Sequence, residues 1–322
     1  MHISNIQIRD PFVVLEDGVY YLFGTTDKDP WNSPGVGFDV YTSMGGLDEF
    51  AGPFTAFRPT PDFWSEINFW APEVYRYHDE YYMFASFKPK TGAGIAVHRG
   101  TAVLKSQAGI QGPYVPWSLN TDGASAPITP PNWDCLDGTL YIAASDGYVT
   151  NPTPYLVFCH EWAQVRDGEL CALALTPDLR YAVGEPELLF RASSAPWVHG
   201  LKGRAPGSFV TDGPFLYRTR NGVLLLLWSS FNKEGNYCIG VAHSQDGFLK
   251  GPWIQAESPL FTADGGGGHG MVFLGKDGVL RLAVHSPNNT PFERALFVEI
   301  DEGENGFVVK KQSERLYKKE KS

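Results

Sequence analysis

One short pattern recurs five times and limits the possible folds more than any other property of the chain. A polar or small residue is followed by Gly or Pro, then by three to five mostly apolar residues. A turn such as DG, NG or HDE usually comes next, and then a second run rich in Tyr, Leu and Phe. The copies are DPFVVLEDGVYYLFGTT from Asp10, APEVYRYHDEYYMFASF from Ala71, and DGTLYIAASDGY from Asp137, which continues into PYLVFCHEW. DGPFLYRTRNGVLLLLWSSF from Asp212 and HGMVFLGKDGVLRLAVHS from His269 complete the set. Each copy reads as a β-hairpin with its turn chemistry in place. A third strand follows in most units and ends in a shared phrase, such as AGPF, QGPY, VGEP or KGPW.

Self-similarity at so long a period, with three or four strands per unit, specifies a radial array of small antiparallel sheets. Helical periodicity is weak throughout. The expected fold is all-β, a five-bladed β-propeller, with one catalytic domain over residues 1–310 and a basic tail over 311–322. Composition agrees: 35 Gly and 24 Pro suit many tight turns, and 43% hydrophobic residues supply a full core. The net charge of −10 repels phosphate backbones, which argues against nucleic acid as a partner. No apolar run is long enough for a membrane helix, and MHISNIQIRDP carries no basic-then-apolar leader. The expected location is therefore cytoplasmic. The four cysteines show no CxxC spacing and sit among apolar neighbours, so they read as reduced core residues.

In a propeller the innermost strand of each blade begins at the central channel, so equivalent repeat positions converge. Asp10, Asp137 and Asp212, with His269, are read as that equivalent position, and Ala71 fills the fifth slot. Glu73, two residues on, faces the same side of its strand. An Asp before Gly or Pro also caps turns, but three together in one pocket would repel each other and split their pKa values. Facing carboxylates, one charged and one protonated, are the equipment of glycoside hydrolysis.

The motifs IRDPFVVLEDGVYYLFGT, NFWAPEVYRYHDEYYMF, LDGTLY and VTDGPFLYR resemble glycoside hydrolase family 43, five-bladed propellers that invert configuration at the sugar they release. The resemblance runs from about residue 6 to residue 300, with the motifs in the family's order. It implies that Asp10 is the general base and Asp137 the carboxylate that tunes and orients the acid. Asp212 falls where the family usually has Glu, one methylene longer, and is taken as the general acid, with Glu161 and Glu73 as rivals. Trp70 resembles the aromatic wall of the sugar pocket, although blade packing would also explain it. His269 matches a channel histidine that in some relatives holds a calcium or chloride-type ion through water; no cofactor is otherwise required. The same His also fits a simple hydrogen bond to Asp10 or to substrate. Glu73, Glu161 and Arg294 complete the expected substrate contacts. The expected substrate is a plant-derived oligosaccharide, and the expected activity is an α-L-arabinofuranosidase. β-Xylosidase, endo-arabinanase and galactofuranosidase follow, and a catalytically inactive sugar-binding propeller is the reading from another class.

Overall fold

The computed structural model describes residues 1–89, 98–143 and 152–310; the basic tail over 311–322 lies outside them. Strands account for 53% of the described residues and helix for 3%. Five four-stranded antiparallel sheets follow one another along the sequence, over 9–57, 65–116, 135–191, 212–255 and 268–309. Each sheet is built from consecutive strands in simple order, so every blade is a local unit. The innermost strands are β1 (Arg9–Glu16), β5 (Ser65–Tyr77), β9 (Cys135–Ile142), β13 (Asp212–Arg218) and β17 (Gly268–Leu274). The GPF, GPY and GPW phrases lead into the fourth, outermost strands rather than closing the third.

A local defect repeated five times explains the sequence pattern. Each innermost strand pairs regularly with its neighbour until two of its residues oppose one, forming a β-bulge. The shift falls between Arg9 and Phe12, Trp70 and Glu73, Leu136 and Thr139, Asp212 and Phe215, and Gly268 and Met271. The first bulged residue takes a left-handed backbone every time: Asp10 (φ 51°), Ala71 (48°), Asp137 (57°), Gly213 (51°) and His269 (49°). The second is Pro11, Pro72, Gly138, Pro214 or Gly270. A bulge leaves the ladder interrupted, so proline's missing N–H costs nothing there.

The bulge register corrects the alignment read from sequence. Asp10, Ala71, Asp137 and His269 are equivalent, but the fourth-blade residue at that position is Gly213. Asp212 sits one residue earlier, level with Arg9, Trp70, Leu136 and Gly268. Its side chain therefore leaves a different point of the bulge from those of Asp10 and Asp137.

The bulges also join the blades. The residue paired with the one just before each bulge lies on the blade's second strand, and in four blades it accepts the left-handed residue's N–H from the next blade. Thr25 Oγ1 accepts from Ala71 (2.8 Å), Ser86 Oγ from Asp137 (2.8 Å), and Ser229 Oγ from His269 (2.8 Å). His285 Nδ1 accepts from Asp10 (3.2 Å), which closes the ring between the last blade and the first. Burial lowers the pKa of His285, followed by the charge of Arg9, so it stays neutral and its Nδ1 can accept. In the third blade the equivalent residue is Cys159, and the Gly213 N–H donates instead to Asp137 Oδ2 (3.0 Å).

Arg294 belongs to the same closure and corrects the expectation that it touches substrate. Its guanidinium donates to the carbonyls of Ser4 (2.7 Å), Pro291 (2.9 Å) and Glu293 (2.8 Å). It ties the last blade to the N-terminal segment, and it does not line the cleft described below.

Candidate active site

A cleft of about 610 Å³ opens over the channel at the bulged ends of the innermost strands, within the size range of small-molecule sites. Asp10, Asp137, Asp212, Glu161, Trp70 and His269 all line it. The structure thus gathers six of the eight residues singled out from sequence.

Asp10 is nearly buried and held from several sides. Thr25 Oγ1 donates to its Oδ2 (2.7 Å), and His269 Nδ1 lies 3.2 Å from its Oδ1. Burial alone would raise its pKa. The His269 imidazole, with the charge of Arg9 adding to it, outweighs burial and holds it well below the ordinary carboxylate value. Asp10 is therefore ionised at neutral pH, as a base must be.

Asp137 and Asp212 are pushed the other way. For Asp212, burial raises the pKa well above normal, and the charges of Asp137 and Glu161 add to it. For Asp137, burial comes first and the charge of Asp10 second. Tyr237 Oη donates to Asp212 Oδ2 (3.1 Å), and His269 Nδ1 lies 3.6 Å from Asp137 Oδ2. Two neighbouring carboxyls, both shifted upward in this way, retain a proton at neutral pH. One cleft thus holds a charged carboxylate and a protonated pair, the separation that acid–base chemistry needs.

Two glycines make room for this arrangement. A Cβ on Gly213, whose φ of +51° already disfavours a side chain, would lie 2.7 Å from the His269 ring. A Cβ on Gly268 would lie 2.7 Å from the Tyr237 ring that donates to Asp212.

Glu161 lines the cleft but is paired: Arg99 donates to its Oε2 at 3.0 Å. Burial raises its pKa, and Arg99 opposes the rise. Glu73 is elsewhere, which corrects its expected contact with substrate. It is buried on β5 beneath the cleft, accepts from Tyr75 Oη (2.5 Å), and is raised by burial to about 7.

The aromatic wall is wider than Trp70. Trp31 meets Trp70 edge-on with ring centroids 5.0 Å apart. Arg9 lies over Trp31 (4.9 Å) and Arg99 over Trp70 (4.4 Å), within cation–π range. Trp70 Nε1 donates to Pro30 O (2.7 Å) and Trp31 Nε1 to Thr290 Oγ1 (3.0 Å), so both rings are fixed. Sequence reasoning missed Arg9, Trp31, Arg99 and Tyr237. Arg9 carried a signal, since it precedes the bulge as Trp70 does. Trp31 and Arg99 come from outside the repeated motif, and Tyr237 opens the third strand of its blade, so none of these carried one.

A directly bound cation does not fit His269. Its Nδ1 faces Asp10 and Asp137, and no group of three His, Cys, Asp or Glu side chains gathers to hold a metal among the described residues.

The family model for glycosyl hydrolases family 43 matches residues 3–301. The chain belongs to glycosyl hydrolase family 43. An endo-arabinase from Bacteroides thetaiotaomicron superposes on this family member with a TM-score of 0.82 at 37% identity, covering 95% of this chain and 99% of that one. A thermostable family-43 glycoside hydrolase gives a TM-score of 0.73 at 23% identity over 94% of this chain and 93% of its own, a likeness of fold. Alpha-L-arabinofuranosidase 43 of Humicola insolens is 28% identical over 169 residues, 48% of this chain. The match spans 31% of that curated relative's length. Membership makes the chain a glycoside hydrolase whose substrate is a carbohydrate.

Proposed function

We propose that this hydrolase cleaves α-L-arabinofuranosyl linkages with inversion, releasing arabinofuranose from oligosaccharides. Asp10 takes a proton from the attacking water, and Asp212 gives one to the departing sugar oxygen. Asp137, next to both, orients Asp212 and raises its pKa by like-charge repulsion. The observation that carries this reading is the opposite displacement of Asp10 and Asp212 within one aromatic-walled cleft. Arabinose is favoured because the 37%-identical structure is named an endo-arabinase and the 28%-identical relative an arabinofuranosidase. Glu161 is the weaker candidate for the acid, since its carboxylate is tied to Arg99.

A second reading, endo-arabinanase, draws support from that first structural relative. Purified protein should be given a nitrophenyl α-L-arabinofuranoside and linear arabinan while proton NMR follows the anomeric signal. Release of monomeric arabinose with inverted configuration supports the proposal, and internal cleavage of arabinan favours the second reading. Retained configuration, or hydrolysis of neither substrate, would overturn both. Asp10→Asn should lower turnover by ~10²–10⁴-fold, because an amide cannot accept the proton from water; turnover near the wild-type rate would remove Asp10 from the role of base.

A further inference from the structure

Four of the five blades close on their neighbours through one device, and the third departs from it. In blades one, two, four and five, the second-strand residue paired just before the bulge (Thr25, Ser86, Ser229, His285) accepts the next blade's left-handed N–H. In blade three that residue is Cys159, wholly buried and paired with Leu136 just before the bulge. A thiol is a poor acceptor beside a hydroxyl or an imidazole. The N–H that it would have received, that of Gly213, is bonded to a carboxylate oxygen of Asp137.

We infer that Cys159 is a positioning residue: by declining the Gly213 N–H, it leaves that amide to hold the Asp137 carboxylate beside Asp212. The inference rests on the acid and modulator roles proposed above. Gly213 follows Asp212 directly in the chain, so this one bond fixes the spacing between the two carboxyls. Its direction matters too. A peptide N–H stabilises the charged form of the oxygen that it meets. The bond therefore favours charge on Asp137 and leaves the proton shared by the pair on Asp212, where a leaving group needs it. Burial, and then the charges of the nearby Asp137 and Asp212, raise the pKa of the thiol, which is placed at this junction.

A hydroxyl would reverse the arrangement. Thr211 lies beside the thiol, and its buried Oγ1 has no other hydrogen-bond partner. A serine at position 159 would donate to Thr211 and accept from Gly213, as Thr25 donates to Asp10 and accepts from Ala71. Asp137 would then lose its main-chain donor. Alanine at the same position offers no acceptor and leaves the Asp137–Gly213 bond intact.

The test compares Cys159→Ser with Cys159→Ala in the whole protein. On an arabino-oligosaccharide, whose leaving group needs protonation, C159S should lose about tenfold or more in kcat/KM, the effect of one hydrogen bond to a charged group. On a nitrophenyl arabinofuranoside the loss should be much smaller, and C159A should keep the wild-type dependence on leaving group. A structure of C159S should show the serine Oγ on Gly213 N and the Asp137 carboxylate turned away. If C159S matches C159A on both substrates while its structure shows the new bond, the positioning role is wrong. If Gly213 still bonds Asp137 in C159S, the competition itself does not exist and the inference fails. Should wild type hydrolyse neither substrate, the functional reading falls, and the C159S structure still decides the hydrogen-bond exchange.

Discussion

Thr25→Val probes the blade-closing ring and the base together. Thr25 is 2% exposed and its hydroxyl makes two bonds, donating to Asp10 Oδ2 and accepting the Ala71 N–H. Valine has nearly the same shape, so no cavity opens, and the effect is confined to the lost polar contacts. The Ala71 N–H, itself buried, becomes an orphan, at about 1–3 kcal/mol. The ionised Asp10 loses a charge-assisted donor, at about 1.5–3 kcal/mol. Allowing for overlap, T25V should be less stable by about 3–5 kcal/mol. With an unfolding entropy near 2.1 cal/mol/K per residue over a chain of this size, that lowers Tm by roughly 4–7 °C. Activity should fall further, by about tenfold in kcat/KM, because the base is free to leave its aligned position. Thr25→Ser keeps both bonds and should stay close to wild type in each measurement. Differential scanning calorimetry and steady-state kinetics on the three proteins read both effects. If T25V melts with T25S and wild type, the hydroxyl ring contributes nothing to blade closure and the account of the bulges fails.

Other consequences concern single residues. Asp212→Ala should cost far more on arabino-oligosaccharides than on nitrophenyl glycosides, since a nitrophenolate leaves without protonation; if Glu161→Gln shows that dependence and Asp212→Ala does not, the proton comes from the third blade. Arg294→Ala should lower Tm while leaving KM unchanged, because its three carbonyl partners hold the closure and none belongs to the cleft; a raised KM with unchanged Tm would return it to the substrate. Glu73 is raised by burial from 4.5 to about 7, so between these values the folded chain keeps a proton that the unfolded chain has released. Its contribution is full below pH 4.5 and is lost as pH climbs through 7, a total of about 3 kcal/mol. Denaturant unfolding across that window should therefore show Glu73→Gln losing less stability with pH than wild type, and parallel curves would disprove the assignment.

The number of blades, their order and the site of chemistry were legible from the chain because each blade is a local unit. A hairpin needs its own alternation and its own turn, and the bulge needs its own Pro or Gly, so five copies of one phrase declare five sheets. Equivalent positions in a radial fold must converge, and so Asp10, Asp137, Asp212 and His269 were found together without any coordinates. The fourth blade was misread by one residue because DGP offers two alignments, Asp–Gly or Gly–Pro. Matching Gly–Pro to the Asp–Pro and Ala–Pro of the first two blades would have given the observed register.

What the sequence by itself determined is therefore everything that repeats: the strands, the bulges and the ring of residues at the mouth of the channel. Only the tertiary structure decided what enters from outside the repeat. Trp31 reaches Trp70 across 39 positions of sequence, Arg99 pairs with Glu161 across 62, and Arg294 turns to Ser4 across 290. Such partners are chosen by the packing of neighbouring blades, which no local pattern encodes. Protonation was decided at the same level. Asp10 and Asp137 occupy the same bulge position, both with a left-handed backbone. One is held well below the ordinary carboxylate value and the other is raised well above it, because His269 and Arg9 outweigh burial at Asp10, while at Asp137 burial prevails and the charge of Asp10 adds to it.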